Sequence, residues 1–188
     1  MRGGSPRAAA PDEAKRDAVG DAAIFPGVDR VVIANLADWP ASARPHRAML
    51  LDIEDDAAPW PDLGVNVQIM EPGQPNCRYH SEPVQEDFLV LHGECIAIVD
   101  GAEHRLRRWD FFHCPAGVEH VFVGAGDGPC AVLMIGSRRV DAAHYPVNAT
   151  AAKYGASVAV ATDEPAEAYA EWETGPVQPA ENPWPFGS

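Results

Sequence analysis

His80, Glu82, Glu86 and His120 are the side chains of this chain best suited to holding a metal ion. They lie in short apolar runs punctuated by Gly and Pro, in the segment from Gly73 to His120. A neutral imidazole and a carboxylate are both good ligands for a divalent first-row metal. Side chains alternate faces along an extended strand, so His80 and Glu82 point the same way. Glu86 opens a strongly apolar run that continues as DFLVLH. A carboxylate entering an apolar interior costs several kcal/mol unless it is paired or metal-bound. His120 lies between Val118 and Phe122. Taken alone, His80 or His120 reads as a histidine that satisfies its own ring nitrogens. Together, at this spacing, the four read as a metal shell.

The spacing resembles the cupin family. Gly73, His80, Glu86 and Gly93 fit that family's first motif, with six residues between Glu86 and Gly93. Pro115, Gly117 and His120 fit its second. Glu82 replaces the second histidine of the first motif, and the spacer after Gly73 is one residue longer than usual. Trp109 stands where the second motif usually opens with Gly, and Gly124 where it usually ends with Asn. The motifs cover residues 73–124 and the resemblance about 62–137. It implies an all-β antiparallel jelly-roll barrel. It also implies one divalent metal ion per chain, held by His80, Glu82, Glu86 and His120. The alternative for Glu82 is a solvent-facing residue at the barrel mouth.

Two imidazoles and two carboxylates make a harder shell than three histidines and one carboxylate. That shell leans toward Fe²⁺, Mn²⁺ or Zn²⁺. The resemblance implies oxygen insertion or isomerisation of a small organic molecule, with Glu86 or Glu82 as catalytic base. A small-molecule-binding or sensor barrel without turnover is the competing reading, and a metal-free structural barrel is a third. Tyr79, Gln85, Asp87, His92 and His113 are candidates to orient the ligands. Trp109, Phe111, Phe112 and Phe122 read most simply as core. A site built on His113 and Cys114 is disfavoured, because adjacent strand residues face opposite sides.

The elements that must position these groups are legible as runs. Residues 28–36 and 47–53 are apolar, and Val65, Val67 and Ile69 alternate with Asn66, Gln68 and Met70. Further short runs, each ended by Gly, Pro or Asp, continue to Ser137, which is how an antiparallel sheet protein reads. Residues 148–159 and 163–172 are expected to hold short helices. The expected organisation is a disordered tail over residues 1–20, one domain over 21–160, and an acidic, Pro-rich tail over 161–188.

The chain has 188 residues and a formal net charge of −14. That charge argues against nucleic acid or an anionic membrane as partner. Arg105, Arg107 and Arg108 form the one dense positive spot and read as a solvated strand face. There is no apolar run of membrane-spanning or signal-peptide length, so a cytoplasmic location is expected. Four scattered cysteines are then expected to be free thiols. Trp172, Trp184 and Phe186 in the tail suggest a segment packed on a partner chain, hence a homodimer.

Overall fold

In the computed structural model, residues 35–44, 46–54, 59–140, 142–172 and 175–184 are described. The expected N-terminal tail, most of the run at 28–36, and Phe186 lie outside them. A 3-10 turn at Leu36–Asp38 precedes β1 (Ala41–Ala43), β2 (Met49–Asp52) and β3 (Leu63–Met70). Then follow β4 (Glu86–His92), β5 (Glu94–Val99), β6 (Ala102–Arg107), β7 (Phe111–Cys114), β8 (His120–Ala125) and β9 (Cys130–Ser137). Short helices α1 (Ala149–Ala152) and α2 (Pro165–Ala168) and a final strand β10 (Gln178–Ala180) complete the chain. No helix among the described residues is long and apolar enough to cross a membrane.

The strands form two antiparallel sheets, ordered β10-β1-β2-β3-β9-β4-β7 and β6-β5-β8. This is the jelly-roll architecture expected from the sequence. Turn chemistry sets the corners. Asp100 and Gly101 both have positive φ, 47° and 79°, which is the two-residue hairpin turn that joins β5 to β6. Gly93 carries the chain from the large sheet to the small one at φ 69°. A Cβ there would lie 2.4 Å from the Pro129 carbonyl oxygen, so only glycine fits.

The core lies between the sheets. Met70 and Met134 of the large sheet meet Cys95, Ala97 and Phe122 of the small one, with Phe88 and Val90 beside them. The outer face of the large sheet has its own cluster, in which Leu51, Val67, Ile69 and Ala131 pack on Trp39. The outer face of the small sheet is covered by Tyr79 and by Ala151 and Ala156. Strand β8 is therefore buried on both faces, and His120 faces inward with Phe122.

Two expectations need correcting. Trp109 and Phe111 are not core; each is 62% exposed, at the edge strand β7 and the turn before it. Phe112 and Phe122 are core, as expected. Trp172 and Trp184 pack on their own chain: Trp172 is buried under Arg78, and Trp184 joins the Trp39 cluster. The tail returns as β10, paired with β1 through Ala41 and Ala180. Asn182 clamps it by donating to the carbonyls of Leu36 (2.8 Å) and Trp39 (2.6 Å). The four cysteines are free, and Cys95, Cys114 and Cys130 are buried. Strand β6, which carries Arg105 and Arg107, is largely exposed.

Candidate metal centre

Backbone pairing brings the histidines together. His80 N–H donates to the His120 carbonyl (3.1 Å), and His120 N–H donates back to the His80 carbonyl (2.7 Å). Their rings stand side by side with centroids 4.8 Å apart. Glu86 reaches the same point from β4, its Oε2 3.3 Å from His120 Nε2. One donor atom from each of His80, Glu86 and His120 lies within 4.8 Å of the other two. Ligands on one ion at about 2.1 Å cannot be more than about 4.2 Å apart. A pair at that 4.8 Å limit would have to close by at least about 0.6 Å, and by more at a tetrahedral angle, to share one ion. Glu82 lies beside it, with Oε1 3.7 Å from His80 Nε2, but outside the three-residue group.

The ring nitrogens are arranged for ligation. His80 Nδ1 lies 2.8 Å from the carbonyl of Arg78, and His120 Nδ1 lies 3.2 Å from that of Val118. A carbonyl only accepts, so each Nδ1 carries a hydrogen, and Nε2 is the nitrogen left to a metal. Both Nε2 atoms face the carboxylates. A thiol stands next to each Nδ1, Cys77 at 3.6 Å from His80 and Cys114 at 3.4 Å from His120.

These orienting partners differ from those expected from the sequence. Asp87 accepts from Gln85 (2.6 Å) and from His113 (2.7 Å). That group lies on the opposite face of β4 from Glu86, because neighbouring strand residues alternate. The Tyr79 hydroxyl accepts from Gly101 N–H (3.0 Å), under the small sheet's outer face. His92 ends β4, about 20 Å along the strand from Glu86. None of the five orients a cluster residue. Two main-chain carbonyls do, and a carbonyl leaves no signature in a sequence. Cys77 was likewise missed; its spacing of three from His80 carries no motif.

Electrostatics follow from burial. His120 is 2% exposed and rimmed by Phe88, Phe112 and Phe122, with ring centroids 5.3, 6.3 and 6.2 Å away. That setting, with the His80 charge beside it, pulls its pKa down to about 3. Burial, then the Glu82 charge, pushes Glu86 up to about 7, against the pull of His80. Burial works against a charged His80, but Cys77, Glu82 and Glu86 outweigh it and hold its pKa well above the ordinary value. His80 is thus held charged between Glu82 and Glu86, and a metal ion would take the place of its Nε2 proton.

Space is left beside Glu86. Across the large sheet Glu86 stands next to Gly136, which has no side chain, and Gly136 next to Gly64, over which the Arg138 guanidinium lies, 3.2 Å from where a Cβ would be. The next row inward is Asn66, Met134, Phe88 and Phe112. Asn66 Oδ1 is buried there with no hydrogen-bond partner among the described residues. Glu82 also lines an open cavity of about 380 Å³ with Ser81, Gly117 and His144.

Two departures from the motif have structural reasons. Trp109 has φ 77°, a conformation that a glycine adopts without strain. Gly124 lies under the loop at Glu71, whose carbonyl oxygen would be 2.2 Å from a Cβ; Gly73 N–H donates to the Gly124 carbonyl (2.8 Å).

The chain is similar to a candidate sugar phosphate isomerase from Acidithiobacillus ferrooxidans at 23% identity, over 52% of this chain and 64% of that one, with a TM-score of 0.45. It is similar to the polyketide cyclase RemF from Streptomyces resistomycificus at 16% identity, over 57% and 79%, with a TM-score of 0.49. The DMSP lyase DddQ from Ruegeria pomeroyi matches at 22% identity, over 50% and 49%, with a TM-score of 0.43. The chain thus spans less than two thirds of the first and third of these proteins. No curated protein matches the chain. The cupin domain family model matches residues 66–136, from inside β3 to the end of β9. Those residues hold the paired histidines, Glu86, strands β4 to β8 and nearly all of β9, and they are a cupin domain.

Proposed function

We propose that this cupin domain is a mononuclear metal enzyme that moves a proton on a small organic molecule. His80, Glu86 and His120 are the ligands, and Glu82 is the base. The reading is carried by the two imidazoles whose Nδ1–H groups are spent on main-chain carbonyls while both Nε2 atoms face Glu82 and Glu86. Nitrogen and carboxylate donors suit iron, manganese or zinc.

A bound divalent ion would supply polarisation of a substrate oxygen. The protein's own groups do the rest. Glu82 stands beside the cluster without belonging to it, in reach of a proton on a carbon next to that oxygen. Gly136 leaves room beside Glu86 for the substrate, and Asn66 Oδ1 can accept a hydrogen bond from a substrate hydroxyl. The phenylalanines around His120 keep water from that side. A carboxylate held next to the ligands favours isomerase-like proton transfer over oxygen insertion.

Metal content tests the reading. Protein purified without added metal is analysed as wild type and as His80→Ala, Glu86→Ala, His120→Ala and Glu82→Ala. About one ion per chain is expected in the wild type and in Glu82→Ala, with loss in the other three. Loss in Glu82→Ala as well makes Glu82 a fourth ligand and removes it as a free base. No metal in any sample, even after reloading, ends the enzyme reading and leaves a ligand-binding barrel.

A further inference from the structure

The row that starts at Glu86 ends under an arginine. Glu86, Gly136 and Gly64 lie side by side on three neighbouring strands, at one end of the large sheet. Residues paired in register share a face. A Cβ on Gly136 would meet Glu86 Oε1 at 3.8 Å and Cγ at 3.9 Å, and no other described atom within 4 Å. Arg138 comes two residues after Gly136, and its N–H still pairs across the sheet, with the Asp62 carbonyl (3.0 Å). Its side chain therefore leaves on the face of Gly136 and Glu86. It crosses to Gly64, where a Cβ would lie 3.2 Å from Nη2, 3.3 Å from Nε and 3.5 Å from Cζ. Glycine at 64 is what lets the guanidinium lie there.

This guanidinium is more than a counterion for buried Glu54. Its Nη2 donates to Glu54 Oε2 (2.9 Å), but the same carboxylate also accepts from the N–H groups of Trp60 and Val65, both at 2.8 Å. Nε and Nη1 of Arg138 make no hydrogen bond among the described residues, and the side chain is 42% exposed. A solvent-reachable cation with unspent donors thus stands across the space over Gly136 from Glu86. Two strand spacings, about 10 Å, separate the backbones of Glu86 and Gly64.

We propose that Arg138 binds the carboxylate of a small organic acid, another oxygen of which lies at the cluster of His80, Glu86 and His120. The carbon chain between them lies over Gly136. This names the substrate class of the proposed enzyme and rests on that reading of the cluster. Taking off about 2.1 Å for a metal bond and about 2.9 Å for a charged hydrogen bond leaves room for an acid of about three to six carbons. A monocarboxylate suits the site better than a phosphate dianion. Glu54, Glu82 and Glu86 already gather three carboxylates at this end of the barrel, and each further negative charge is repelled.

Calorimetric titration of the zinc-loaded full-length protein with 4-hydroxybutanoate tests this. Butane-1,4-diol is the control without a charge, and 3-hydroxypropyl phosphate the control with a second one. The acid is expected to bind, and both controls to bind at least roughly tenfold more weakly. Arg138→Gln is expected to weaken the acid roughly tenfold and to leave the diol unchanged. Gly136→Val fills the space while leaving the pair of Arg138 and Glu54 intact, and is expected to weaken the acid at least roughly tenfold. Zinc content is measured on the same samples. A wild type that takes up no zinc sinks the metal reading and this proposal with it. Zinc uptake without binding of the acid, with equal binding of acid and diol, or with acid affinity unchanged in both variants overturns this proposal alone. Binding of the phosphate ester as tight as that of the acid, or tighter, overturns the carboxylate assignment.

Discussion

His80 and His120 exchange both of their main-chain hydrogen bonds, so their imidazoles face the barrel interior as a directly opposed pair. A single mispaired residue would send one ring to the other face. The geometry of the site is therefore a matter of strand register before it is a matter of side chains.

Metal affinity should depend on pH in the direction set by the cluster. Glu86, with its pKa near 7, and His80, raised above its ordinary value, both hold protons in mildly acidic solution. An ion must displace those protons. Affinity is then expected to fall roughly tenfold per pH unit for each proton displaced as pH drops below about 7. His120, neutral down to about pH 3, adds nothing in this window. Chelator competition between about pH 5.5 and 8 measures it; a flat profile would refute the protonation scheme.

Asn66→Val should separate stability from function. The buried Oδ1 has no partner among the described residues, so a β-branched apolar replacement is expected to stabilise by about 1 kcal/mol. Denaturant unfolding tests this. A loss of stability instead would mean that the amide makes a bond the native fold needs.

Trp109→Gly should stabilise the protein. Relief of the positive φ is worth about 1 kcal/mol, less the exposed stacking of Arg108 on the indole. A rise in the urea midpoint with unchanged slope is the expected result, and an unchanged or lower midpoint argues that the exposed indole contributes more than the strain costs.

Asn182→Ala should loosen the tail. It removes two donations to main-chain carbonyls beside Trp39, at a cost of about 1–2 kcal/mol. Faster amide exchange in β10 and β1 is the expected sign. Equal protection in both proteins would show that strand pairing alone holds the tail.

The barrel was legible because its strands are short, alternate and end at Gly, Pro or Asp. Gly93 and the Asp100–Gly101 turn are legible for the same reason. Glu86 and His120 were legible because charged or polar groups in apolar runs demand an explanation. Phe111 misled because an edge strand has a neighbour on one side only, and an aromatic run carries no mark of that. Trp172 and Trp184 misled in the opposite sense. Their partners, Arg78 and the Trp39 cluster, are distant in sequence, so the aromatics looked unclaimed.

The pairing of β1 with β10 has a consequence for synthesis on the ribosome. Ala41 leaves the exit tunnel long before its partner Ala180, which is made 139 residues later. Until then β1 lacks its outer neighbour and Trp39 lacks the Asn182 clamp. Such an unpaired edge invites chaperones, or another nascent chain, to occupy it. Synthesis of β10, rather than completion of the strands that carry Glu86 and His120, is the step at which the large sheet closes.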